Sequence, residues 1–262
     1  MSRISLTFDV DLAELAVLVE DLGLDRFSYP HTITGTSEID LSVLRDALYQ
    51  RLPAPGGELG AEIAELLDIW ARPDVLLTQV ATTMSAGSLA LHRGGWRGRT
   101  GVFTSQRGEV LNFAELRPAQ VIAEMVRVLP PRDAIPGTPV SYVQPAQPRP
   151  GRIPAEEEAF GGIEAPYPAS PGHPPAAEPF FSAPVLRAGV ITCSRREPST
   201  RTRRGALVEV GALTWFETTE GGFCSTTEPL SDGARRHTIT PADRRLVARW
   251  LRDRLDRERS QP

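Results

Sequence analysis

The residues that could do chemistry are few and scattered. The four histidines, His31, His92, His173 and His237, stand at no metal-binding spacing from one another, from a Cys or from a carboxylate pair. All 29 basic residues are Arg. Without Lys there is no phosphate-loop lysine, no Schiff-base lysine and no kinase-type strand lysine. G-x-S-x-G, G-x-x-x-x-G-K-[ST] and H-E-x-x-H are all absent from the sequence. "DVD" at residues 9–11 offers two carboxylates, but reads more simply as a strand end followed by a helix cap. Cys224 would need a neighbouring base to be a nucleophile. Strand alternation points it away from Phe223, among threonines, as a packed thiol. No catalytic residue, no metal and no cofactor is expected, and the weight moves from enzyme to binding protein.

Two Arg-bearing stretches remain. "HRGGWRGRTG" at residues 92–101 combines glycines, Arg93, Arg97, Arg99 and an exposed-looking Trp96. It reads as an anion-binding nest or as a hairpin loop. The tip at residues 195–204 is richer in Arg but lacks interleaved aromatics, so it reads as a solvated loop rather than a nucleic-acid site.

The elements that must carry these residues follow from periodicity. A strand is predicted at residues 4–8. Asp11 with Glu14 then forms a capping box ahead of a helix with Leu12, Leu15, Ala16, Val19 and Leu22 on one face, stopped by Gly23. A second helix starts at Ser37 or Asp40, with Leu41, Leu44, Leu48 and Leu52 as its stripe. A third carries Leu59, Ile63, Leu66, Leu67 and Trp70 and ends before Pro73. Strands are predicted at residues 75–84, 88–92, 100–105 and 110–113. Pro118 opens a helix whose stripe is Val121, Ile122, Met125 and Leu129.

Residues 130–184 hold 15 of the 24 prolines, so most of this stretch should be an extended linker, apart from a strand at residues 138–143. Strands follow at residues 185–192, 213–218 and 223–227. A last helix is expected with Thr240 as N-cap, Pro241 in its first turn, and Leu246, Val247, Trp250 and Leu251 inward.

Composition bounds the rest. The 262 residues suffice for one large domain or two small ones. Net charge is −4, but uneven: 14 Arg against 23 acids up to Pro184 give −9, and 15 Arg against 10 acids afterwards give +5. Two Cys make no disulfide framework. Acidic residues interrupt the first apolar stretch and no 18-residue apolar run occurs, so a cytoplasmic protein is expected. A ribbon, then Arg117-Pro118-Ala119 and a helix, echoes a second ribbon, then Thr240-Pro241-Ala242 and a helix. The expected fold is α+β: a central twisted antiparallel sheet with helices packed on it, in a pseudo-twofold two-half architecture. The halves would be residues 1–143 and 185–262, sharing one sheet, with the proline-rich linker at 144–184 between them.

Four stretches in order, "LVEDLGLDRFSYP", "ARPDVLLTQV", "GALTWFETTEGGF" and "TITPADRRLVARWL", carry a resemblance to the EspG family of ESX (type VII) secretion chaperones. The sequence departs from the family's pattern at Glu217, where Asp is expected, at Phe223, where a hydroxylated aromatic is usual, and in its longer linker. The resemblance implies a cytosolic chaperone without catalytic activity. It would bind the PPE subunit of a PE–PPE heterodimer, keep it soluble and direct it to its secretion system. Trp and Arg most often anchor interfaces, so Trp96, Arg97 and Arg99, with Phe216 beside the ribbon turn, are the expected contacts. Two other readings stay open. One is an anionic-ligand or nucleic-acid module using Arg195, Arg203, Arg235 and Arg244. The other is an enzyme with an unrecognised site.

Overall fold

The computed structural model describes residues 6–24, 27–28, 30–32, 41–52, 58–84, 87–145, 175–197 and 205–257. In chain order these form β1 (Thr7–Asp11), α1 (Leu12–Asp21), β2 (Phe27–Ser28), β3 (His31–Thr32), α2 (Leu41–Arg51), α3 (Glu58–Ala71), β4 (Val75–Thr83), β5 (Leu89–Arg97), β6 (Thr100–Arg107), β7 (Val110–Leu116), α4 (Pro118–Arg127), β8 (Val140–Gln144), α5 (Glu178–Phe181), β9 (Val185–Arg196), β10 (Leu207–Thr218), β11 (Gly222–Pro229), β12 (Arg235–Pro241) and α6 (Arg244–Arg257).

One antiparallel sheet runs β1-β7-β6-β5-β4-β9-β10-β11-β12-β8. Its centre is the β4–β9 pair, which joins the parts of the chain before and after the proline-rich stretch, with Thr78 opposite Thr192. Outward from that pair the order is the same on both sides. Each side is a four-strand meander, closed at its edge by a strand from earlier in the chain (β1 or β8) and followed by a helix (α4 or α6). The two halves are topologically equivalent about a pseudo-twofold between β4 and β9.

The sequence reading paired the ribbon before α4 with β10–β11, one hairpin too early. A further strand, β12, follows β11 and pairs with it from Phe223↔Pro241 to Pro229↔Arg235. The predicted N-cap Thr240 and first-turn Pro241 therefore lie in a strand. The helix begins three residues later, where Asp243 Oδ1 accepts the N–H of Leu246 at 2.8 Å. The strand predicted at residues 138–143 exists, but it pairs with β12 of the second half rather than with the first. The start predicted for the second helix, Ser37 or Asp40, lies outside the described residues, as do the first two residues of the strand predicted at residues 4–8, which the structure places at Thr7–Asp11.

Three cores fill the fold. On the front face α4 and α6 lie side by side and bury Val121, Met125, Val247, Leu251 and Leu255 against Trp96, Phe103, Leu213, Trp215 and Cys224. Each such aliphatic side chain contributes roughly 1.5–3 kcal/mol when fully buried. On the back face of the first half, α1, α2 and α3 bury Leu15, Leu48, Leu67 and Trp70 against Val10, Val102 and Phe113 of β1, β6 and β7. On the back of the second half, among the described residues, Ile135, Ala177, Phe180 and Phe181 pack on Phe216, Phe223 and Ile239, with Val140 and Tyr142 of β8 beside them. Thus Ile135 before the stretch 146–174 and Ala177 and Phe180 after it are buried anchors.

Candidate partner-binding surface

The predicted contact residues fall on different faces. Segment 92–101 is not a loop: it is the end of β5, a two-residue turn at Gly98 and Arg99, and the start of β6. Two of its glycines serve a helix. A Cβ on Gly94 would sit 2.6 Å from Val121 Cγ1 and one on Gly101 2.8 Å from Val121 Cγ2. Only Gly lets α4 approach this closely. The expectation that Trp96 is exposed is corrected for the same reason. Helix α4 covers its strand, and Trp96 is 6% exposed in the front core.

Arg97 Nη1 donates to Asp68 Oδ2 of α3 at 2.7 Å. Arg99 is exposed at the turn. Phe216 is corrected likewise: 6% exposed, it stacks on Phe223 with ring centroids 4.6 Å apart, beneath Phe181. Trp96 lies opposite Val75 and Phe216 opposite Ala188, itself opposite Thr82. Seven residues of β4 separate these positions, about 23 Å along the strand. The structure brings Trp96, Arg97 and Arg99 to one end of the sheet and Phe216 to the back of the other.

The arginines of the second half do not converge either. Arg195 on β9 and Arg235 on β12 are three strand spacings apart, ~14 Å. Arg244 is spent on the end of α4, where Nε donates to Leu129 O at 2.9 Å and Nη2 to Arg127 O at 2.7 Å. Arg203 lies outside the described residues.

The candidate chemical groups are occupied by structure. Asp11 and Glu14 form the capping box predicted for α1, and Asp9 Oδ1 accepts from Asn112 Nδ2 at 2.7 Å. Cys193 and Cys224 are buried, and burial pushes both thiols up to about 12. His31 is enclosed between Gln106 Oε1, 2.9 Å from Nδ1, and Thr104 Oγ1, 3.1 Å from Nε2. Burial lowers its pKa to about 4, and Arg93 adds to the effect. Arg93 lies over the Trp70 ring and donates to Trp70 O through Nε at 3.1 Å and Nη2 at 2.8 Å. His92 is also held near 4, by burial first and then by Arg107 and Arg127. His173 lies outside the described residues. Among the described residues no three His, Cys, Asp or Glu are grouped to hold a metal ion, and no helix is long and apolar enough to cross a membrane.

Sequence reasoning missed one polar group. Glu217, 2% exposed, accepts from Arg132 Nε at 2.7 Å and from Arg187 Nε at 2.5 Å. Its partners lie 85 and 30 residues away, and only the departure from the expected Asp drew attention to the position.

A family model described as the EspG family matches residues 11–253. Fourteen chains of solved structures match. One is in the structure of the Mycobacterium tuberculosis type VII secretion system chaperone EspG5 in complex with PE25-PPE41 dimer. Its TM-score is 0.62 at 13% identity, with 96% of each chain covered. No curated protein matches the sequence.

Proposed function

Because this chain belongs to the EspG family, we propose that it is a cytosolic chaperone of type VII (ESX) secretion that binds a PE–PPE pair through the PPE subunit. The supporting observation is the family match across residues 11–253. A shared fold over 96% of a chain solved with a PE–PPE dimer stands beside it. The chain acts by binding rather than by catalysis, keeping an apolar part of its client from water until secretion. An antiparallel sheet with half-buried residues such as Val190, Thr192 and Thr214 on one face suits that task.

Of the four expected contacts, Arg99 and the partly exposed Arg97 are the ones with side chain to offer a partner. Trp96 and Phe216 are buried in separate cores at opposite ends of the sheet. Co-expression with a PE–PPE pair from the same genome tests the reading. Co-purification of both client chains is expected, and failure with every such pair overturns it.

A further inference from the structure

At one rim of the sheet centre β4 and β10 end and β5 and β9 begin. There the fold leaves an open groove of about 640 Å³, whose lining includes Met84, Val185 and Leu186 together with Arg132, Arg187 and Glu217. The volume lies in the range of ordinary ligand sites. Met84 is 46% exposed, and Leu89, across the β4–β5 hairpin, is 66% exposed. Large apolar side chains left in water beside a groove mark an interaction site more often than isolated ones do.

The polar wall carries more charge than the fold requires. Buried Glu217 needs a partner, and Arg187 alone supplies two hydrogen bonds, through Nε and Nη2. Arg132 adds a second guanidinium through Nε only. The cluster is therefore net +1. The side chains of Arg132 and Arg187 are 49% and 44% exposed, yet tied down by the carboxylate behind them. Fixed, half-desolvated guanidiniums lose little entropy when they bind an anion.

We infer that this groove receives a segment of the client in which a large apolar side chain stands next to a carboxylate. The apolar side chain packs on Met84 and Leu89, and the carboxylate accepts from Arg132 and Arg187. This rests on the chaperone reading and locates its contact at the opposite end of the sheet from Trp96.

The test measures affinity of the full chain for a PE–PPE pair that co-purifies with it. Met84→Asp and Leu89→Asp put a carboxylate on the apolar side and should each weaken binding by about tenfold or more. Arg132→Gln leaves Arg187 to hold Glu217. It should weaken binding and flatten its dependence on salt. Val43→Asp, at an exposed position on α2, should change nothing. Melting curves confirm that each variant is folded. Wild-type binding with unchanged affinity in folded Met84→Asp and Leu89→Asp overturns the groove and leaves the chaperone reading intact. Failure of the wild type to bind any pair overturns both. Loss of self-association in Met84→Asp, with client binding unchanged, assigns the groove to a second copy and overturns the inference.

Discussion

The two halves share one topology but cover it differently. Behind the first meander lie three helices. Trp70 and Phe113 are 1% and 0% exposed there, meeting edge to face at 5.5 Å between centroids. Behind the second lie Ile135, Ala177 and the single turn of α5, whose Phe180 and Phe181 ring centroids are 5.5 and 5.4 Å from that of Phe223. Val190, Thr192, Ala212, Thr214 and Ser225 are left half-buried. The front faces match more closely, each under one helix. The pseudo-twofold is thus a property of the sheet and its front. Among the described residues, the back of the second half is covered by fewer elements than the back of the first.

That contrast can be broken from the thick side first. Trp70→Ala should cost about 4 kcal/mol in urea unfolding. It opens a cavity, removes the ring beneath Arg93 and deletes the bond from Trp70 Nε1 to Thr104 Oγ1. A loss under about 1 kcal/mol would show that the three-helix cover is not the main store of stability.

The next effect is a pH dependence on the same side. The folded pKa of His31 is about 4 against 6.5 ordinarily. Between those values the unfolded chain binds more protons. The stability is fully present above about pH 6.5 and is lost as pH falls toward 4, on the order of 3 kcal/mol in all. Melting temperatures of His31→Gln should fall less steeply between pH 7 and 5 than those of the wild type.

On the thin side, Phe180→Ala should cost about 3 kcal/mol, the low end for a buried Phe, because its cluster is the smallest of the three among the described residues. Hydrogen exchange should rise in β10 and β11 and stay unchanged in β6 and β7. Equal rises in both halves would mean that the two backs open together. The smallest effect belongs to the stretch between the halves. Replacing residues 146–170 with a Gly/Ser chain of equal length should shift stability by less than about 0.5 kcal/mol in thermal melts.

Local chemistry made much of this protein legible in advance. The Asp11–Glu14 box, the stripe Leu15, Ala16 and Val19, the opening of α4 at Pro118 and its buried Val121 and Met125 all follow from contacts within one or two turns. So does the two-residue turn at Gly108, whose φ is +61°. Family membership was legible too, because four short stretches kept their order. The burial of Trp96 was decided elsewhere, because α4 settles on Gly94 and Gly101 of neighbouring strands. Glycines that accept a helix look, in sequence, like glycines that make a loop. The true start of α6 depended on β12 first pairing with β11 and β8, which holds Pro241 in the sheet. The Arg132–Glu217–Arg187 cluster needed three segments to meet at one rim. Periodicity and capping act over a few residues and can be read along a line. Which faces are covered, and which charges meet, depends on contacts across 30 to 115 residues that form only when the sheet closes around its central pair.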